Sequence, residues 1–266
     1  MHIASWNVNS VRTRLDQVIH WLTTNSIDLL CLQETKVIDD DFPRQRFEEL
    51  GYHCYVSGQK SYNGVALLSN SPITDTQSGF ASLLGEAVRE WDVQKRVIQG
   101  TFRGIQVLNL YVPNGSEVGS DKYRYKLEWL AQLRTYVQML LQSAKAKSLP
   151  VLMCGDFNIA LEDRDIYDPT GRETHIMASD AERSALQAVL DLGFQDVFRK
   201  FTTEGGHFSW WDYRTGAFRR NHGWRIDHIY LTPELYDRAV ACTIDKTPRT
   251  QEKPSDHAPV IVELAL

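Results

Sequence analysis

Apolar and polar positions along the chain fall into short blocks whose period switches repeatedly. Met1–Trp6 opens as a strand-like run, after which Val11, Leu15, Val18, Ile19 and Leu22 recur at helical spacing and predict a helix over residues 11–24. Ile27–Leu32 is an apolar run broken only by Asp28 that ends in Gln33 and Glu34, the pattern of a buried strand stopping at a carboxylate. Further strands are predicted at Gly64–Ser69, Lys95–Phe102, Ile105–Val112, Pro150–Gly155, Phe208–Trp211, Arg225–Leu231, Ala239–Asp245 and His257–Leu266. Asp121–Leu141 reads as the longest helix, with Leu127, Leu130, Leu133, Val137, Leu140 and Leu141 on one side. Asp180–Leu192 is another, opened by a capping box of Ser179 and Glu182 and closed by Gly193. Strands outnumber helices and come in groups, so two sheets packed face to face with helices outside fit better than a strictly alternating parallel sheet. No linker, biased tract or internal repeat divides the sequence, which predicts a single domain over residues 1–266.

Composition changes this picture little. With 42% apolar and 24% charged residues the chain is an ordinary globular protein, not a disordered, collagen-like or coiled-coil one. The apolar runs are far shorter than the roughly 20 residues a membrane-crossing helix needs. The start of the chain lacks the basic and apolar segments of a secretion signal, so a cytoplasmic protein is expected, with a monomer as the default. Cys31, Cys54, Cys154 and Cys242 are scattered with no paired spacing and are expected to be free thiols, mostly buried. Asn114-Gly115-Ser116 fits a glycosylation sequon, but three residues without a secretion signal carry no weight. The loops that cradle nucleotides, G-x-G-x-x-G and G-x-x-x-x-G-K-[ST], are absent from the sequence.

Charge and chemistry concentrate at strand ends. Asn7 follows the first strand, Glu34 the second, Tyr111 and Asn114 close Ile105–Val112, and Asp156 and Asn158 follow Val151–Cys154; Asp227 lies in Trp224–Leu231, and Asp256-His257 precedes the last strand. A polar residue after a strand is commonly a turn or a helix cap. Repetition at so many strand ends points instead to one shared rim rich in oxygen ligands and poor in Cys and His. Such a donor set suits Mg²⁺ or Mn²⁺ better than zinc.

Ser5-Trp6-Asn7-Val8-Asn9, Leu32-Gln33-Glu34-Thr35-Lys36, Tyr111-Val112-Pro113-Asn114-Gly115, Gly155-Asp156-Phe157-Asn158, Trp224-Arg225-Ile226-Asp227 and Ser255-Asp256-His257-Ala258-Pro259 closely resemble the exonuclease III family of abasic-site endonucleases, in that family's order and across nearly the whole chain. The resemblance implies a four-layered α/β sandwich with two packed mixed β-sheets flanked by helices. It implies metal-dependent hydrolysis of a phosphodiester in duplex DNA bearing an abasic site, a nick or a modified 3′ end. By the same resemblance Glu34 is the main metal ligand, with Asn7 and Asp256 as ligands or close partners, and Asp156 orients or deprotonates the attacking water. Asn158, Tyr111 and His257 contact the phosphate, and Asp227 pairs with His257. A carboxylate beside the imidazole favours its charged form.

Lys36, Tyr62, Asn114, Arg219 and Arg220 are the expected DNA contacts, with Arg12, Lys60, Lys122 and Arg124 as further basic candidates; the Arg219–His222 turn resembles the family's minor-groove loop. Trp210, Trp224 and Ile226 match the family's pocket for an extruded base-free sugar. Residues 160–179 fit the family least well. Tyr167–Gly171 and Thr174-His175-Ile176 resemble the variant that favours 3′-end processing; the His175 imidazole over the pocket is expected to block an extruded sugar and to leave a terminal 3′ phosphate or nucleotide accessible. Two other readings compete: a hydrolase of the wider superfamily acting on a lipid or inositol phosphoester, and a non-catalytic DNA-binding protein. Trp210-Trp211-Asp212-Tyr213-Arg214 speaks against the first, and retention of Glu34, Asp156, Asn158 and His257 against the second. The net charge of −5 is unusual for a simple DNA binder. Attraction to DNA is therefore expected to be local, carried by metal and loops.

Overall fold

The computed structural model describes residues 1–265, so Leu266, the last residue of the final predicted strand, lies outside the described residues. Twelve strands form two sheets: β1 (His2–Asn7), β2 (Leu29–Gln33), β3 (His53–Ser57), β4 (Val65–Ser69), β5 (Thr74–Ser78), β6 (Val97–Phe102), β7 (Ile105–Tyr111), β8 (Val151–Asp156), β9 (Gln195–Asp196), β10 (Asp227–Leu231), β11 (Ala239–Ile244) and β12 (Val260–Leu264). The helices are α1 (Leu15–Thr24), α2 (Arg44–Glu48), α3 (Ala81–Leu84), α4 (Asp121–Ala146), α5 (Asp180–Leu190), α6 (Val197–Phe201), α7 (Ala217–Arg220) and α8 (Pro233–Arg238).

The sheets run β11-β12-β1-β2-β4-β3 and β5-β6-β7-β8-β10-β9. Each has one parallel pair at its centre, β1 with β2 and β7 with β8, and antiparallel neighbours on both sides. A parallel pair brings two carboxyl ends to the same rim, so each sheet delivers two chain reversals side by side.

Strand alternation explains the four layers. Ile3, Leu29, Cys31, Val65 and Leu67 face inward and meet Val107, Leu152, Cys154, Ile229 and Leu231 of the other sheet. Their neighbours Ala4, Trp6, Leu30, Leu32 and Leu68 face outward onto Val18, Trp21 and Leu22 of α1. On the far side Leu108, Leu110, Val151 and Met153 pack against Trp129, Leu133, Tyr136 and Val137 of α4 and Leu186 and Val189 of α5. Fully burying a large side chain of this kind contributes about 1.5–3 kcal/mol. Polar residues also bridge the sheets. Gln33 Nε2 donates to Asn109 Oδ1 (2.7 Å) and Ser5 Oγ (3.0 Å), while Asn109 Nδ2 donates to the carbonyls of Leu32 and Ala66 (3.0 Å each). This bridge fixes how the rims meet.

Most predicted elements form. The capping box at α5 is present, and all four cysteines are free. Among the described residues no helix is long and apolar enough to cross a membrane. Phe208–Trp211 is a correction: it is extended but makes only single bridges, Trp210 to Trp224 and to His257. Its aromatic residues instead join two small clusters, Phe208 and Trp211 with Ala217 and Ala258, and Trp210 with Trp224 and Ile226. Strands β3, β5 and β9 were not predicted. β5 is exposed at every position and β9 is two residues long, so neither carries an apolar period.

Arg225, between Trp224 and Ile226, points away from both into a buried ion cluster. Its guanidinium donates to both oxygens of Asp165 (2.7 and 3.1 Å) and to Asp196 (2.7 Å), and Arg199 also pairs with Asp165. Burial works to raise Asp165, but Arg225 overcomes it and holds the carboxyl at about 2. A folded-state pKa below the ordinary 3.8 stabilises the fold above about pH 4, and the gain is lost as pH falls towards 2. Asp165→Ala is expected to cost about 3 kcal/mol in urea unfolding at pH 7, as breaking a buried pair does. The variant is also expected to lose less stability than the parent protein between about pH 4 and 2.

Candidate active site

The rim is built from tight reversals. Asn9 and Ser10 after β1, Glu34 and Lys36 after β2, and Asn158 after β8 all have positive φ, between 44° and 91°. Non-glycine residues there cost of order 1 kcal/mol each and persist only when their surroundings hold them. Here Ser10 N donates to Glu34 O (2.8 Å), Thr35 N to Gly64 O (3.1 Å) and Lys36 N to Asn63 O (2.9 Å). Gly64 is required, because a Cβ at its φ of +90° would lie 2.1 Å from Thr35 Oγ1.

Asn7, fully buried at the end of β1, joins the sheets: its Nδ2 donates to Glu34 Oε1 and to Asp156 Oδ2, both at 2.8 Å. Asp156 Oδ1 accepts from Asn158 N (2.9 Å), and Asn158 Nδ2 reaches Asp156 Oδ2 (3.2 Å) and the Val112 carbonyl (3.0 Å). His257 stands across from Asp156, Nε2 to Oδ2 3.8 Å, and its Nδ1 is 2.9 Å from Asp227 Oδ2. Ser209 Oγ donates to that same Asp227 oxygen (2.7 Å) and accepts from the Ile226 and Asp227 amides.

Glu34, Asp156 and His257 place one potential ligand atom each within 4.8 Å of one another, a group able to hold a metal ion. The Lys36 ammonium already lies 2.8 Å from Glu34 Oε2, so the carboxylate receives a cation in this arrangement. Two expected ligands stand differently. Asn7 turns its amide nitrogen to the carboxylates while its oxygen accepts from Asn9 N (2.9 Å). Asp256 lies outside the group, accepting from Asn9 Nδ2 (2.9 Å) and Trp210 Nε1 (3.0 Å).

These neighbours set the protonation states. Burial disfavours the His257 cation, but Asp227 and then Asp156 outweigh it and push the imidazole up to about 10. Burial raises Asp156, His257 opposes, and the Asp227 and Glu34 carboxylates add to the rise, leaving it at about 7. Against burial, Lys36 and Asn7 hold Glu34 below its ordinary value, and His257 and Asn9 do the same for Asp256. Burial, then Glu34, pushes the Tyr111 hydroxyl well up, so it remains a donor at neutral pH. The Arg96 guanidinium lies over the Tyr111 ring at 4.6 Å. The rim therefore combines a protonated histidine, a carboxyl poised near neutrality and a neutral phenol.

Asn114 is exposed beside this centre, its Nδ2 donating to Asn158 Oδ1 (3.0 Å). Next to it opens a groove of about 620 Å³ lined by Trp210, Trp224, His175, Met177, Tyr167 and Arg220 among others. Exposed His175 lies over Trp224 with ring centroids 6.3 Å apart and planes 20° apart. Ile226 is buried beneath. Arg219 and Arg220 end α7, exposed, with Asn221 capping it at a φ of 53°. Arg12, Lys60, Tyr62 and Lys122 are exposed outside the rim's hydrogen-bond network, Lys36 is engaged by Glu34 and Asn9, and Arg124 pairs with Asp121. The sequence pattern assigns no site role to Asn9, inside the Ser5–Asn9 segment, or to Ser209, inside the predicted strand Phe208–Trp211. It also passed over Lys126, whose place on an apolar helix face was its one signal.

A model of the endonuclease/exonuclease/phosphatase family matches residues 4–257. The chain is 36% identical to exodeoxyribonuclease III of Haemophilus influenzae over 99% of both proteins. It superimposes on a 3′ phosphatase from Neisseria solved with a product DNA hairpin (TM-score 0.93, 39% identity) and on an AP endonuclease from Archaeoglobus fulgidus (TM-score 0.91, 40% identity), each over 100% of both chains. With the strand-end residues converging as described, the chain belongs to the endonuclease/exonuclease/phosphatase family, in its exodeoxyribonuclease III group of DNA-repair nucleases.

Proposed function

We propose that this chain is a Mg²⁺-dependent phosphodiesterase that cleans 3′ ends in duplex DNA, removing 3′ phosphates and 3′ nucleotides, with internal abasic-site incision restrained by His175. The observation that carries the chemistry is the meeting of the Glu34 and Asp156 carboxylates around one point beside the His257 imidazolium. Its hard oxygen donors fit Mg²⁺, with Mn²⁺ as a substitute. When bound, the ion supplies positive charge to the phosphate and the leaving oxygen.

This chain's residues do the rest. Asp156, with a pKa near neutrality, accepts a proton from the attacking water and aims it, its own orientation fixed by Asn7 and Asn158. His257, held as imidazolium by Asp227, neutralises a phosphate oxygen, while Asn158, Asn114 and the Tyr111 hydroxyl donate hydrogen bonds to it. Trp210 and Trp224 line the pocket, backed by buried Ile226, and His175 lies over Trp224 at its edge. Lys36, Tyr62, Arg219 and Arg220 would contact the DNA backbone, and Glu34 would hold the ion. The reading favours a monomer working alone on nicked or abasic duplex DNA.

Asp156→Asn is expected to lower kcat for 3′-phosphate removal about 10²–10⁴-fold, and EDTA to abolish it in the parent protein; undiminished turnover in EDTA would refute the metal mechanism. In metal-free protein the His257 ring should keep both ring protons at pH 8, read from its ¹⁵N shifts, because its pKa stands at about 10. Asp227→Asn removes the largest of the stabilising anions and should lower the pH at which that ring loses a proton. His175→Gly should raise cleavage of an internal tetrahydrofuran abasic analogue about tenfold or more while 3′-phosphate removal changes little. Equal rates of internal cleavage with and without the imidazole would overturn its role as a block.

A further inference from the structure

We propose that the buried Lys126–Glu182 ion pair is a positioning device that holds the loops carrying Asn114, Asn158 and Met177 in catalytic register. The proposal rests on the reading of Asn114 and Asn158 as phosphate-contacting groups. Lys126 sits in the second turn of α4 on the face that also carries Trp129, Leu130 and Leu133, and it is fully buried. Its ammonium donates to three acceptors: the carbonyls of Asn114 (3.1 Å) and Asn158 (2.7 Å), and Glu182 Oε1 (2.5 Å). An ammonium has three hydrogens to donate, and each goes to a different segment of the chain.

Glu182 extends the junction. Its Oε1 also accepts from Met177 N (3.0 Å), and its Oε2 accepts from Ser179 N (3.1 Å) and Ser179 Oγ (2.7 Å). The Tyr123 hydroxyl, one turn before Lys126, meets Ser179 Oγ at 2.8 Å. The loops after β7 and β8 and the loop entering α5 are thus tied from behind to one cation–anion pair, while in front Asn114 Nδ2 reaches Asn158 Oδ1 (3.0 Å) and Met177 Sδ (3.6 Å). Gly115 lets the first loop pack directly on the lysine: a Cβ there would lie 2.9 Å from Ile176 Cδ1 and 3.1 Å from Lys126 Cδ.

Stability alone does not explain such a pair. Burying two charges costs desolvation, and an apolar pair of similar volume is often as stable or more so. An apolar replacement cannot direct three hydrogen bonds at three loops. The pair therefore acts on where the Asn114 and Asn158 amides sit, and its removal should act on turnover more than on substrate binding or folding.

The test is the charge-free double variant Lys126→Met/Glu182→Gln, assayed for 3′-phosphate removal beside Asn158→Ala and the triple variant, with urea midpoints as a folding control. The double variant is expected to keep a midpoint near that of the parent protein and to lose about 10–100-fold in kcat, since displacements of about 1 Å at a catalytic group have effects of that size. KM should change less than about threefold, and Asn158→Ala should cost much less in the double background than alone, as coupled residues do. A double variant with parental kcat beside an impaired Asn158→Ala would overturn the positioning role. Unimpaired Asn158→Ala would instead overturn the phosphate-contact reading, and the inference with it. If the double variant does not reach the native state, the charge-free Lys126→Gln/Glu182→Gln takes its place; it must show the same kcat-selective loss on a smaller scale, and parental kcat there overturns the inference.

Discussion

Everything at the rim depends on keeping several carboxylates close together in a place poor in water. Glu34, Asp156, Asp227 and Asp256 surround His257, and two unit charges about 4 Å apart interact by about 4 kcal/mol at an intermediate dielectric. The arrangement holds because the repulsion is compensated locally. His257 takes a proton and lies against Asp227 and Asp156, Asn7 donates to Glu34 and Asp156 together, and Lys36 neutralises Glu34 from outside. Asp156 carries the remaining strain as a raised pKa. In the proposed mechanism that same residue accepts the proton, so the electrostatic cost of assembly falls on the group the proposal uses as base.

The fold delivers these groups because its two sheets share one plan. Each centres on a parallel pair, and the reversals leaving β1, β2, β7 and β8 bring Asn7, Glu34, Tyr111 and Asp156 to a common rim. The Gln33–Asn109 bridge below and the Asn7 amide above fix one sheet against the other at two levels. Left-handed backbone at Asn9, Ser10, Glu34, Lys36 and Asn158 turns the chain sharply enough for neighbouring side chains to face one centre. Arg225 anchors the pocket strand from its opposite side through Asp165 and Asp196.

The same geometry reconciles a net charge of −5 with a nucleic-acid substrate. Four of the 34 acidic residues, Glu34, Asp156, Asp227 and Asp256, lie at the rim, paired with His257, Lys36 or amides. Arg219, Arg220 and Asn114 are exposed on the loops that flank the rim, so the local charge there differs from the surface average.

The sequence by itself determined most of the strands and helices and which polar residues stand at their ends. Apolar runs ending in Asn7, Glu34 and Asp156 are readable because strand period and strand end are local properties, and the Ser179–Glu182 capping box is readable for the same reason. β5 left no trace, since an exposed edge strand has no buried face to impose a pattern. Phe208–Trp211 misled because aromatic residues that close two satellite clusters look like a sheet strand in one dimension. Only the tertiary structure decided that Asp256 faces Asn9 and Trp210, that His175 lies over Trp224, and that Lys126 and Glu182 meet in the interior. Each of these depends on which atoms from distant segments arrive within about 3–6 Å, where hydrogen bonds, charges and ring faces interact, and no local period encodes that distance.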